Sequence, residues 1–333
     1  MRSRTLGATG LEVTPIGLGL AALGRPAYIN LGRDEDLGGE RSIDAMERRC
    51  HEVLDAAFGA GVRYLDAARS YGLAEAFLAS WLKRRDLAPE AVTVGSKWGY
   101  TYTGQWQLAA EVHEVKDHSL ATLRRQYAET RELLGGWLDL YQIHSATLDS
   151  GVLEDRQVLA ELVRLRREGL AIGLTTSGPH QAETLRRALQ VEVDGVNPFG
   201  VVQATWNLLE PSAGPALAEA HERGWGVIVK EALANGLLTA HGRDRERAAL
   251  GQVAERHAAA AGHAVTADAV ALAAVLANPW VDVVLSGAVT VEQLHSNLEA
   301  TALELTAADL EELHALTEPA ERYWAERSAL PWS

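Results

Sequence analysis

Short apolar runs without strict polar alternation recur along this chain, separated by helical patterns, and this repeat constrains the fold more than any other feature. The runs are VTPIGLGLA (13–21), YLDAA (64–68), VTVGSKW (92–98), LDLYQIH (138–144), AIGLTTS (171–177), VVQATWN (201–207), VIVKEA (227–232) and VDVVLSGA (281–288). Each is rich in Val, Ile, Leu or Tyr, and none exceeds nine residues. Continuous apolar character marks strands covered on both faces, as in a parallel sheet. Windows such as HEVLDAAFGAG, EDRQVLAELVRLRREGL and GPALAEAHERG carry apolar residues three and four apart, and several close on Gly. That is the pattern of amphipathic helices and their C-terminal ends. Eight strand–helix units in 333 residues suit a closed (β/α)8 TIM barrel, an α/β fold, better than an open sheet. TLGATGLEV reads as an N-terminal β-hairpin turning near Gly10. With no linker and no break in composition, residues 1–333 are expected to form one domain.

Two long insertions follow the first and third runs, at 25–42 and 99–118. Both leave the C-terminal ends of strands, where barrel active sites lie, and are expected to wall a substrate. The net charge of −14 argues against nucleic acid and anionic membranes, which require basic faces. No apolar stretch approaches the ~18 residues of a membrane span. MRSRTLGATGLEV has basic residues but no apolar core, so no signal peptide is expected. The lone cysteine, Cys50, leaves neither an intrachain disulfide nor a cysteine-built zinc site. The expectation is a cytoplasmic protein without a metal, its self-association open.

Asp66, Tyr71, Lys97 and His144 stand at or just beyond the C-terminal ends of three runs. A barrel brings such ends to one mouth. Singly, an Asp there is ordinarily a cap, a Lys a solvated charge, and a Tyr before Gly a packing residue. Together they form an acid–base device. A phenol with a reference pKa near ~10 exchanges protons poorly at neutral pH. A nearby ammonium is expected to lower that value, and a carboxylate to hold the ammonium in place. His144 is placed to orient a substrate carbonyl oxygen.

In these motifs the sequence resembles the aldo-keto reductase superfamily. RTLGATGLEVTPIGLG resembles the family's hairpin and first strand. GVRYLDAARSYG, VGSKWG and LDLYQIH resemble the segments carrying its catalytic Asp, Tyr, Lys and His, matching Asp66, Tyr71, Lys97 and His144. VVQATWNLLE, ANGLL and SGAVTVEQLHSNL follow in order, so the resemblance spans almost the whole chain. It implies an NADP(H)-dependent oxidoreductase, with NAD(H) as the other option, acting on a small carbonyl or alcohol: an aldehyde, a ketone or a sugar-like polyol. Tyr71 would be its general acid and base.

The resemblance also implies cofactor contacts. Gln203 matches the glutamine that bonds the nicotinamide carboxamide. Thr175 and Thr176 stand where the family has Ser-Asn, with Ser177 beside them. Lys230 takes the position of a stacking tyrosine, and Trp206 is a substitute surface. Gln293 and Asn297 match the adenosine end, where many members carry an arginine at the position of Gln293. Gly287, Ala288 and Thr290 open a helix whose N–H groups suit a phosphate. Leu238 begins the loop over the pyrophosphate. The substrate wall is expected from Trp98, Tyr100, Tyr102 and Trp106, with Tyr323, Trp324 and Trp332 of the tail. These aromatics, with Asp149, Arg69 and His118, would suit a polyol, a sugar-like carbonyl or an aromatic aldehyde.

Other readings stay open: a Schiff-base lyase using Lys97, a net non-redox step with bound NADP, or a non-catalytic cofactor-binding subunit. GLGLAALG (17–24) has Ala22 where a dinucleotide motif needs its third glycine. The gaps between His113 and His118, and between His257 and His263, do not align imidazoles on one helix face. The arginines of LVRLRREGL fit a solvated helix face.

Overall fold

The computed structural model describes residues 1–332. Every one of the eight apolar runs carries a barrel strand: β1 (Ile16–Gly19), β2 (Tyr64–Asp66), β3 (Thr93–Trp98), β4 (Leu138–Ala146), β5 (Ala171–Thr176), β6 (Val201–Thr205), β7 (Gly226–Lys230) and β8 (Val283–Ser286). They pair in chain order, all parallel, and close on themselves. This is the expected (β/α)8 barrel.

The helices follow from local rules. Arg156–Arg167 starts where the Asp155 carboxylate accepts from the Gln157 and Val158 amides at 2.9 and 3.1 Å, an N-cap. Val158, Leu159, Leu162 and Val163 face the barrel. Its arginines gather at the last turn, where they suit the helix dipole, and Arg164 pairs with Glu161 and Glu168.

The hairpin pairs Arg4–Thr5 with Glu12–Val13 and seals the floor of the barrel. Its Leu6 and Val13 are fully buried and cluster with Tyr64, Leu140, Val201, Ile228 and Val283. Gly7, at φ 51°, approaches so closely that a Cβ would lie 2.2 Å from the Gly226 nitrogen. Within this layer, the Tyr64 ring packs inside the barrel against Gly17 and Gly95. A Cβ on Gly17 or Gly95 would come within 2.7 or 2.5 Å of its side chain, so these glycines make room for the ring.

The two insertions form the rim. The first contains a short helix, Arg33–Leu37, and the second pairs Tyr100–Tyr102 with Glu114–Lys116 as an antiparallel hairpin. Buried Arg33 donates to the carbonyls of Ala22, Pro26 and Arg25 at 2.7, 2.7 and 2.6 Å, fixing the first loop from beneath. Two cross-links join the loops. Arg25 pairs with Glu114 at 2.8 Å, and the Trp106 indole donates to the Arg41 carbonyl at 2.6 Å. Among the described residues no helix is long and apolar enough to cross a membrane.

Leu6→Ala is expected to lower unfolding stability by about 2–5 kcal/mol in urea titrations, as for other buried leucines; a loss under about 1 kcal/mol would show that the hairpin does not seal the floor.

Candidate active site

Parallel register delivers the four chemistry-bearing residues to one end of the barrel. Asp66 closes β2 opposite Gly95 of β3, and Lys97 lies two residues further along the same face. The Lys97 ammonium bonds the Asp66 carboxylate, with side chains 0% and 2% exposed. Lys97 also donates to the Ala67 carbonyl at 2.9 Å. The other Asp66 oxygen accepts from the Tyr64 hydroxyl at 3.1 Å and from Gln203 Nε2 at 2.9 Å. A buried ion pair survives only when its remaining hydrogen-bonding capacity is met in this way.

Tyr71 enters on a tight turn that depends on the following glycine. Gly72 has φ 60°, and a Cβ there would stand 2.4 Å from the Gly24 carbonyl oxygen. The glycine of SYG thus lets the turn press against the first loop. The Tyr71 ring centroid lies 4.8 Å from the Lys97 nitrogen and 5.4 Å from the His144 ring, edge to face. Ser70 Oγ lies 3.3 Å from His144 Nδ1.

Burial, and after it the Asp66 charge, raises the Tyr71 pKa well above the ordinary phenol value, with Arg25 opposing. This corrects the expectation of a phenol made acidic by Lys97. The ammonium is locked to a carboxylate, whose charge adds to burial in holding the proton on the phenol. The Tyr71 hydroxyl therefore keeps its proton at neutral pH. Burial first, then the charges of Lys97, Lys230 and Arg25, depress His144 well below the usual imidazole value. His144 is thus neutral.

These groups border one end of a cavity of about 630 Å³, within the ~300–1,000 Å³ range of ligand pockets. Asp66, Tyr71, Tyr100, His144, Ser177, Gln203 and Lys230 share that end, while Gly287, Ala288, Gln293 and Asn297 border the cavity further along. Trp332 of the tail also lines it, over the Arg25 guanidinium at 4.9 Å and stacked on His113.

Other expected residues stand behind the wall. Thr175 faces inward beside its register partner Gln203, but its hydroxyl accepts from the Ser145 amide at 2.7 Å. Thr176, one residue on, bonds Gln181 beneath a helix. Trp98 is fully buried against His118, because neighbours on a strand project to opposite faces and Lys97 takes the inner one. Trp206 packs on Trp280, so it is no substitute stacking surface. Trp106 holds the loops together, and the Tyr102 hydroxyl accepts from the Trp106 amide at 3.0 Å. Leu238 lies in an apolar cluster, leaving Asn235 and Gly236 of ANGLL to face the cavity. Thr290 caps a helix. Tyr323 and Trp324 are buried, bonding Asn207 and Glu210. Arg69 bridges Glu75 and Glu129, and His118 bonds the His144 carbonyl. Asp149 occupies a short turn outside the cavity.

Sequence reasoning named Lys230 but missed Arg25, Glu114, Glu231 and Arg327, the other charged groups around the tetrad. Arg25 lies over the Tyr71 ring at 5.4 Å. Lys230 bonds Thr205 at 2.7 Å, and burial depresses its pKa to about 8. Glu231 is held by Arg327 of the C-terminal helix Ala320–Ser328. Arg327 and Lys230 outweigh its burial and take its pKa down to about 2. Glu231 has φ 54°, uncommon for a side-chain-bearing residue. Each pair spans a long sequence distance, which no local pattern reveals. No group of three or more His, Cys, Asp or Glu suited to a metal occurs among the described residues.

A family model described as the Aldo/keto reductase family matches residues 15–318. An aldo-keto reductase of Aspergillus calidoustus is 27% identical over 95% of this chain and 82% of its own length. The L-galactose dehydrogenase of Arabidopsis thaliana is 29% identical over 95% of this chain and 94% of its own. The solved holo form of an aldo-keto reductase from Bacillus halodurans shares the fold, with a TM-score of 0.70 at 22% identity, over 96% of this chain and 97% of that one.

Asp66→Asn should cost about 3–5 kcal/mol of stability in denaturant titrations, because it leaves the Lys97 ammonium buried without a counter-charge. The His144 imidazole should stay neutral at pH 6 by ¹⁵N chemical shifts; a charged ring there would contradict the geometry. The unfolded chain takes up this proton near ~6.5. The contribution to stability is therefore full above that pH and is lost as pH falls toward the lower folded value.

Proposed function

The chain belongs to the aldo/keto reductase family of oxidoreductases, and we propose that it moves a hydride between a nicotinamide dinucleotide and a small carbonyl or alcohol substrate, with Tyr71 as general acid and base. The observation that carries this reading is the stack of Asp66, Lys97 and Tyr71, with His144 edge-on, at one end of a cavity of ligand-binding size. Bound nicotinamide supplies or accepts the hydride. Gln203, Ser177 and Lys230 would hold it at the tetrad, with Asn235, Gly236 and the segment around Gly287 and Ala288 along the remainder. Gln203 already donates to Asp66 at 2.9 Å, so a carboxamide partner would couple cofactor seating to the ion pair.

The residues perform the proton chemistry. Neutral Tyr71 donates to the substrate oxygen in reduction and takes the proton back in oxidation. Lys97 stabilises the phenolate that forms, and Asp66 keeps Lys97 charged and fixed. Neutral His144 orients the substrate oxygen. A Schiff base on Lys97 is disfavoured, because that nitrogen is fully buried and committed to Asp66 and the Ala67 carbonyl.

Around Tyr71 the wall is polar: Arg25 with Glu114, Glu231 with Arg327, and the hydroxyls of Tyr28 and Tyr100. Such a wall favours a hydroxylated substrate of the sugar type over a purely aromatic aldehyde. The similarity to L-galactose dehydrogenase agrees with that. NADP(H) and NAD(H) are distinguished by the wall beyond the tetrad, not by the tetrad itself.

Tyr71→Phe should lower kcat/KM for carbonyl reduction by at least about 10²-fold while leaving dinucleotide binding, read by tryptophan fluorescence, within about threefold. Wild-type turnover in that variant would sink the mechanism.

A further inference from the structure

The wall beyond the tetrad is acidic. It is built from Ser286–Ala288 after β8, the helix Val291–Glu299, Asp268 of the helix Ala267–Leu276, and Asp36 from the short helix of the first loop. Asp36, Asp268 and Glu292 face the cavity there. Among the described residues lining the whole cavity, the lysines and arginines are Arg25, Lys230 and Arg327. All three belong to the tetrad end: Arg25 over Tyr71, Lys230 on Thr205, and Arg327 on Glu231. Arg49 lies under the first loop, where it donates to the Asp36 and Leu37 carbonyls at 2.9 and 3.1 Å.

The uncharged route to a phosphate is also partly taken. Backbone N–H groups at a helix start can cradle a phosphate without a cation, and the sequence suggests Gly287, Ala288 and Thr290 for this. Here the Ala288 amide donates to Ser286 Oγ at 3.3 Å, and the Val289 amide to Gln293 Oε1 at 2.9 Å. The Gln293 amide donates to Thr290 Oγ1 at 3.2 Å. Gln293 is further tethered, through Nε2, to Asp36 at 2.6 Å. Three of the seven amides from 287 to 293 are therefore engaged by the protein's own side chains, and the carboxylates of Asp36 and Glu292 stand beside the segment.

A dinucleotide whose nicotinamide lies at Tyr71 reaches this wall with its adenosine. Carboxylates accept hydrogen bonds from free ribose hydroxyls, whereas they repel a phosphate at the 2′ position. We propose that this chain selects NAD(H) over NADP(H), and that Asp36, Asp268 and Glu292 are the residues that impose the choice. This rests on the oxidoreductase reading above and replaces the NADP(H) preference that the resemblance suggests.

The test is binding, measured by calorimetry on the full chain at low ionic strength. The probes are NADH, NADPH, and the nicotinamide-free pair ADP-ribose and 2′-phospho-ADP-ribose. The expected result is binding about 30-fold tighter, or more, for the member of each pair without the 2′-phosphate, with the ratio shrinking in 0.5 M salt as charge repulsion is screened. Glu292→Arg should cut that ratio by about tenfold. NADPH binding as tightly as NADH would overturn the inference and leave the oxidoreductase reading intact. An unchanged ratio in both Glu292→Arg and Asp36→Asn would overturn the assignment to these carboxylates. Absence of binding by all four probes would overturn the oxidoreductase reading and this inference with it.

Discussion

The buried pair between Lys97 and Asp66 is the interaction on which the site depends. Neither charge tolerates the barrel interior alone. Together they persist because Tyr64, Gln203 and the Ala67 carbonyl complete their hydrogen bonds. Tyr64 and Ala67 come from β2 and its end, but Gln203 comes from β6, four strands round the barrel, so completing the pair requires the barrel to close correctly. The Tyr64 ring that packs inside the barrel, admitted by Gly17 and Gly95, is the same residue whose hydroxyl supports Asp66. Packing and polar support meet in one side chain, and a fault in its layer would reach the Asp66–Lys97 pair through it.

The pair also sets the electrostatic tone of the mouth. Burial governs Tyr71 and His144, with the Asp66 charge adding to it at Tyr71 and the Lys97 charge at His144, and both remain uncharged. An uncharged phenol and an uncharged imidazole therefore face the cavity side by side. Charge elsewhere at this end is arranged in closed pairs, Arg25 with Glu114 and Arg327 with Glu231. These give polarity without a large net field.

The barrel was legible in the sequence because buried parallel strands must be apolar throughout, and each of the eight runs could be read in isolation. Asp66, Tyr71, Lys97 and His144 were legible because strand ends converge by topology alone. What stayed hidden depends on side-chain parity and on distant partners. Trp98 follows Lys97 yet faces the opposite way. Thr175 and Thr176 sit at the right height, but one hydroxyl braces Ser145 and the other lies under a helix. Arg25 and Glu114, 89 residues apart, and Glu231 and Arg327, 96 apart, leave no trace in local periodicity. The amides near Gln293 looked open in sequence because only coordinates reveal which side chains turn back on them.

The sealed floor has a kinetic meaning. With Leu6, Val13 and the Tyr64 layer closing one end of the barrel, traffic to the reacting centre uses the mouth alone. A vessel with a single opening imposes chronology on its contents. Whatever lies deeper must arrive earlier and depart later, so the hairpin at one pole of the molecule helps to dictate the sequence of events at the other.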